Sequence, residues 1–305
     1  MDFGRVTEQE LNSIDFSLSP EPVFNKQLLK GNPAKGCKVY VGCAKWGRTE
    51  WLGKIYPLKT KEKDFLHCYV QHYNCIELNA THYKIYGAGA VEKWAAQAAG
   101  KDFLFCPKMY QGVTHKGNLT GKNFITSEFL RGVTAFKNHL GPIFIQVSET
   151  YSPKRKDDLF TYLRSLPADL QFFVEVRHYS WFKDEDYRND LFSTLQSLNM
   201  GAVITDTAGR RDCCHMHITV PKAFIRYVGN SLHHSDYTRI DAWVERMKYW
   251  MDNGLQEIYF FMHMHNEALS PELTVYLIDK MNAVCGLNLL KPAFIYNTDT
   301  QGKLF

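Results

Sequence analysis

Glu175, Arg177 and His178 bring a carboxylate, a guanidinium and an imidazole together at the end of an apolar run, "FFVEVRHYSW" (172–181). A carboxylate there can act as general acid or base. A guanidinium can grip phosphate or carboxylate through paired hydrogen bonds. An isolated charge inside an apolar strand is costly, so the charges must pair or line a polar cavity. Residues at i and i+2 share one face of a strand. Glu175 and Arg177 therefore point one way, and Val174 and Val176 the other.

The same chemistry recurs at the ends of other short apolar runs. Glu77 and Asn79 share a face, and Tyr83 follows. Lys45 and Trp46, Lys108 and His115, Gln146, Asp206 and Arg210, and Arg226 stand at comparable places. The expected roles follow from residue type. Glu175 is the acid or base, tuned by Arg177 and partial burial. Glu77 or Asp206 is the second carboxylate. Lys108, Arg177 and Arg226 hold negative charge. Asn79, Tyr83, His115 and Gln146 orient a substrate, and Lys45, Trp46, His178 and Arg210 complete its surroundings. The bland alternative is a satisfied ion-pair layer without chemistry. It explains a single pair equally well, but polar groups at nearly every strand end weigh against it.

A metal is the sharper rival. His215 and His217, and His263 and His265, are each spaced to share a strand face. With Glu77, Glu175 and Asp206 they could hold a divalent ion. Lys108, Arg177, Arg210 and Arg226 crowd the same place and would oppose a bound cation. No cofactor is therefore expected, and the metal is the minority reading. No GxGxxG or Walker A sequence occurs, which removes the Rossmann and P-loop readings.

The elements that must position these groups are eight short runs: 38–43, 75–79, 102–108, 142–148, 171–177, 201–207, 223–229 and 257–263. Each is nearly continuously apolar, as parallel strands covered on both faces are. Helical periodicity separates most of them, over 61–73, 91–100, 126–139, 156–166 and 187–199. Thr238 and Asp241 suggest a capping box, and Ser270-Pro271 an N-cap with proline at N1, in a helix stopped by Gly286. Eight strands alternating with helices predict an α/β fold, a single (β/α)8 TIM-like barrel over 37–298. An N-terminal arm (1–36) precedes it and a tail (299–305) follows. The sixth-to-seventh connection, "AGRRDCCHMHITVPK", has no helical face and is expected to be irregular. In such a barrel the site lies at the C-terminal strand ends, where the polar residues fall.

Composition bounds the class. The chain has 305 residues and a net charge of +4, too mild for a polybasic nucleic-acid protein. Its eight cysteines contain no CxxC spacing and predict reduced, mostly buried thiols. No leader and no membrane-spanning run is apparent, so a cytoplasmic, soluble protein without membrane contact is expected.

In order along the chain stand "VGCAKWGRTEW…YP", "IELNATHY", "THKGNLT", "LGPIFIQV", "VEVRHYSW", "ITDTAGRRD" and "FIRYVG". This series resembles the YecE-like family, known as domain of unknown function 72. The resemblance implies a TIM-barrel-like fold and carries no activity to transfer. Where the family commonly has Gly-Thr-Ser-Gly-Trp, this chain has Gly42-Cys43-Ala44-Lys45-Trp46; where it has Asn-Asn-Asp, His263-Met264-His265 stands. The functional expectation is an enzyme acting by acid–base chemistry on a small anionic, sugar-like or phosphorylated molecule. The rivals are a nucleic-acid-binding or nucleic-acid-processing barrel, and a non-catalytic ligand-binding protein. Oligomeric state is not legible.

Overall fold

The computed structural model describes residues 3–31 and 36–295. The expected tail at 299–305 lies outside these residues, as does the middle of the loop expected at 31–36. The eight strands are β1 Lys38–Cys43, β2 Cys75–Leu78, β3 Leu104–Pro107, β4 Ile143–Gln146, β5 Phe172–Glu175, β6 Gly201–Asp206, β7 Lys222–Gly229 and β8 Glu257–Met264. All pair in parallel, in the order β3-β2-β1-β8-β7-β6-β5-β4. The two end strands close on each other: the Gly141 amide donates to the Phe105 carbonyl at 2.8 Å, and Met109 to Phe144 at 2.9 Å. The result is the expected (β/α)8 barrel.

Two cores follow from strand parity. One face of each strand packs against the surrounding helices. The other fills the barrel, where Cys75, Cys106, Phe144, Phe173, Val203, Phe224, Tyr259 and Phe261 form a separate apolar cluster. Gly201 of β6 leaves room in that interior, since a Cβ there would overlap the Phe173 ring of β5.

The helices depart from expectation in detail. The period at 61–73 becomes a 3₁₀ turn at Glu62–Asp64 and a short helix at Phe65–Tyr69. Its end tightens because Gln71 and His72 donate to carbonyls three residues back. The helix at Asn123–Val133 gives way to a 3₁₀ stretch at Thr134–His139. Thr238 is not an N-cap. The helix His234–Asp252 begins a turn earlier, capped by His233, and the Thr238 hydroxyl donates to the Ser235 carbonyl. Ser270 is likewise the first helical residue of Ser270–Cys285 rather than its cap, and Gly286 ends that helix with φ 66°. The β6–β7 connection holds only a 3₁₀ turn at Arg211–Cys213, as its sequence suggested. All eight cysteines are free thiols, and no helix among the described residues is long and apolar enough to cross a membrane.

The arm is bound to the barrel. Gly209 donates to the Gly4 carbonyl at 2.8 Å, and the Thr207 hydroxyl to the Phe3 carbonyl at 3.1 Å. Further along, buried Asn25 bonds Met216 and Ile218, and Glu21 accepts from Arg246 and Trp250. Gly201→Val is expected to destabilise the barrel by about 1–3 kcal/mol through overpacking against Phe173. Urea unfolding midpoints of the two proteins measure this; an unchanged midpoint would show that the interior has slack there.

Candidate active site at the barrel mouth

One pleat step beyond the apolar plug, the inward positions turn polar on seven strands. They are Glu77, Lys108, Gln146, Glu175, Thr205, Arg226 and His263, all buried. Each stands two residues after an interior apolar residue, so strand alternation alone aims them into the cavity. Arg226 is the centre. Its Nε and Nη2 donate to the two oxygens of Glu77 at 2.7 and 2.8 Å, and its Nη1 donates to Glu175 at 2.9 Å. Glu175 also accepts from Arg177 Nε at 2.7 Å and the Thr205 hydroxyl at 3.0 Å. Glu77 also accepts from Asn79 at 2.8 Å and lies 3.1 Å from His263 Nε2.

These contacts fix the charge state of the carboxylates. Burial pushes the Glu175 carboxyl up, but Arg177, Arg226 and Lys108 overcome it and hold it at about 2. Burial also opposes ionisation of Glu77, yet Arg226 and His263 keep it well below the usual carboxylate range. Both are anions at neutral pH. A carboxyl held so low is a weak base.

Lys108 differs from the other cations. Its Nζ donates to the amide oxygen of Gln146 at 2.8 Å and lies 5.8 Å from the Phe144 ring centre, whereas Arg177 and Arg226 bond carboxylates directly. Burial, then the charge of Arg226, lowers its amine to about 8, against the opposing pull of Glu175 and Glu77. Above the ring, His82 and His115 meet edge to face at 4.8 Å. Burial and the nearby Lys108 charge lower both imidazoles, His82 to about 4.

Asp206 is a correction. It follows inward-facing Thr205, so it points outward, toward the helix His234–Asp252. There it accepts from Trp243 Nε1 at 2.7 Å and pairs with Arg239 and Arg211. It ties barrel to helix and cannot serve as the mouth's second carboxylate. Thr205 was missed, although the i+2 rule applied to Val203 finds it.

The remaining residues scatter. His178 is half-buried and accepts from the Ser180 amide through Nδ1. Tyr83 is 69 % exposed at the end of the turn Ala80–Tyr83. Lys45 is exposed, and Trp46 packs edge-on against Trp94 at 5.5 Å; both line a small cavity with Asn79. Arg210 is held by Asp212 through two hydrogen bonds. His215 and His217 lie in the β6–β7 connection, packed on Phe192, and not on a strand. They are thus apart from His263, and among the described residues no three His, Cys, Asp or Glu side chains gather as a metal site. Phe3 of the arm, by contrast, reaches the mouth. The Arg177 guanidinium stacks on its ring at 4.0 Å and that of Arg210 lies at 5.2 Å.

Together these features define a class: a parallel (β/α)8 barrel whose C-terminal mouth is floored by a charged, hydrogen-bonded ring. A profile described as "Protein of unknown function DUF72" matches residues 40–293, and the chain belongs to that family. It is 25% identical over 253 residues to the UPF0759 protein YecE of Escherichia coli (strain K12), covering 77% of this chain and 89% of that protein. The UPF0759 protein YunF of Bacillus subtilis (strain 168) is 28% identical over 160 residues, 50% of this chain and 55% of that one. Among solved structures, a DUF72 family protein from Enterococcus faecalis V583 superposes with a TM-score of 0.62 at 16% identity, over 84% of this chain and 98% of that chain. One from Thermotoga maritima MSB8 gives 0.59 at 19% identity, over 81% and 98%. These likenesses support the fold.

Two outcomes are expected. Arg226→Met strands two buried carboxylates and should cost about 3–5 kcal/mol of stability in urea unfolding; a loss below that would mean the ring relaxes around the gap. The second concerns acid. Glu175 titrates near 2 in the folded protein and at about 4.3 in the unfolded chain. Its contribution is therefore full above the unfolded value and disappears as pH falls toward the folded one. Urea midpoints should drop across that window, and Glu175→Gln should flatten the drop.

Proposed function

We propose that the barrel mouth carries out acid–base chemistry on a small anionic or sugar-like molecule, with Lys108 as the proton-transferring group. The observation that carries this reading is the partnership of Lys108: its hydrogen bond goes to a neutral amide, within a ring where carboxylates hold the two arginines. An amine without a carboxylate partner can lose its proton near working pH, and its lowered value of about 8 agrees. Glu77 and Glu175 then serve as fixed anions that hold Arg226, rather than as acid and base.

The preference for an anion follows from how the cations are paired. Arg226 is held by Glu77 and Glu175, and Arg177 by Glu175 and by the more exposed Glu149 at 3.4 Å, whereas Lys108 bonds only an amide. An anionic group beside Lys108 would supply the negative partner it lacks. Asn79 and Gln146 supply amides beside the charged groups for orienting hydroxyls or oxyanions.

Deuterium uptake at carbon-bound hydrogens, followed by NMR over sugar phosphates and short hydroxy and keto acids, tests the reading. At least one compound should exchange. Its rate should rise as pH passes about 8, where the Lys108 amine becomes free. Lys108→Gln should slow the exchange roughly 100-fold or more. Exchange that is undiminished in that variant would remove Lys108 from the chemistry.

A further inference from the structure

We propose that Lys108 forms an imine with the carbonyl carbon of a small anionic aldehyde or ketone held in the barrel mouth. The inference rests on the acid–base reading above, since the same unprotonated amine serves both.

The geometry points to nucleophilic chemistry as well as proton transfer. A lysine becomes a nucleophile when it is desolvated or set beside another cation. Lys108 meets both conditions. It retains 9 % of its exposure, and the guanidinium groups of Arg226 on β7 and Arg177 just beyond β5 depress its protonation. Glu175 and Glu77 oppose them, but neither bonds Nζ; both are engaged by Arg226. Gln146 accepts one hydrogen bond from Nζ at 2.8 Å, which orients the nitrogen without holding a proton on it as a carboxylate would. On the rim burial keeps His82 and His115 neutral, helped by the Lys108 charge while that amine is protonated. They add no competing positive charge.

The step balances without a further reactant. The amine lone pair adds to the carbonyl carbon as the carbonyl π bond breaks, a nitrogen–carbon bond forms, and one proton passes from nitrogen to that oxygen. A second proton, from solvent water, lets the carbinolamine expel the oxygen as water, and a carbon–nitrogen double bond remains whose nitrogen keeps its last proton. The protonated imine withdraws electrons from the neighbouring carbon. Proton removal there, or cleavage of a bond to it, then becomes easier than in the free carbonyl compound.

The test uses the full chain with glyoxylate and, separately, dihydroxyacetone phosphate, each with sodium cyanoborohydride to trap the imine as a stable secondary amine. Peptide mapping by mass spectrometry should find at least one probe attached to Lys108 well above any other lysine, with labelling that increases as pH passes about 8. Lys108→Arg should lack that adduct. The wild-type map decides the matter even if the variant folds poorly. Deuterium exchange that depends on Lys108, with no adduct from either probe, overturns the imine and leaves the acid–base reading standing. Labelling spread evenly over exposed lysines also overturns it. Neither adduct nor Lys108-dependent exchange overturns both.

Discussion

The mouth of this barrel depends on one guanidinium. Arg226 reaches from β7 to Glu77 on β2 and to Glu175 on β5, so a single side chain ties three separated strands across the cavity. None of the three could be buried alone, because an unpaired charge in a medium of low polarity is untenable. Each justifies the others. Asn79, Thr205, Arg177 and His263 then fill the remaining lone pairs of the same carboxylate oxygens. The network is fully connected, and that is what allows charge to sit one pleat step above an apolar plug.

The same network divides the labour among groups that look alike in composition. Carboxylates gripped by arginines stay ionised well below neutral pH. Lys108, linked to an amide, stays adjustable. Identity of residue type thus says less about chemistry than the identity of the neighbour. Arg177 shows it again: it shares Glu175 with Arg226 on one side and stacks on Phe3 of the arm on the other.

Much of this was legible in the chain, for physical reasons that also mark where legibility stops. All eight strands stand out because a strand covered on both faces must be continuously apolar, and short apolar runs are easy to see. The alternation of side chains placed Glu77, Glu175 and Arg177 correctly in the cavity. Applied to β6, it would have chosen Thr205 over Asp206. The more conspicuous charge drew attention, yet its face was the wrong one. Helix starts at His234 and Ser270 were off because side-chain caps are weak signals beside tertiary packing. Contacts between distant segments left no trace at all. That Arg226 joins Glu77 and Glu175, that Gln146 partners Lys108, or that Phe3 lies on Arg177 depends on barrel closure, and no local pattern encodes it.

The docking of the arm has a consequence for how the molecule is made. Phe3 and Gly4 find their hydrogen-bond partners at Thr207 and Gly209, some two hundred positions later in the chain. During synthesis that segment emerges early and must wait, unpartnered, until β6 has formed. Those partners still precede Arg226 and His263 in the chain, so the arm's anchor emerges before the ring beside it can be completed. The segment that borders the mouth thus has its docking place ready while the mouth itself is still being built.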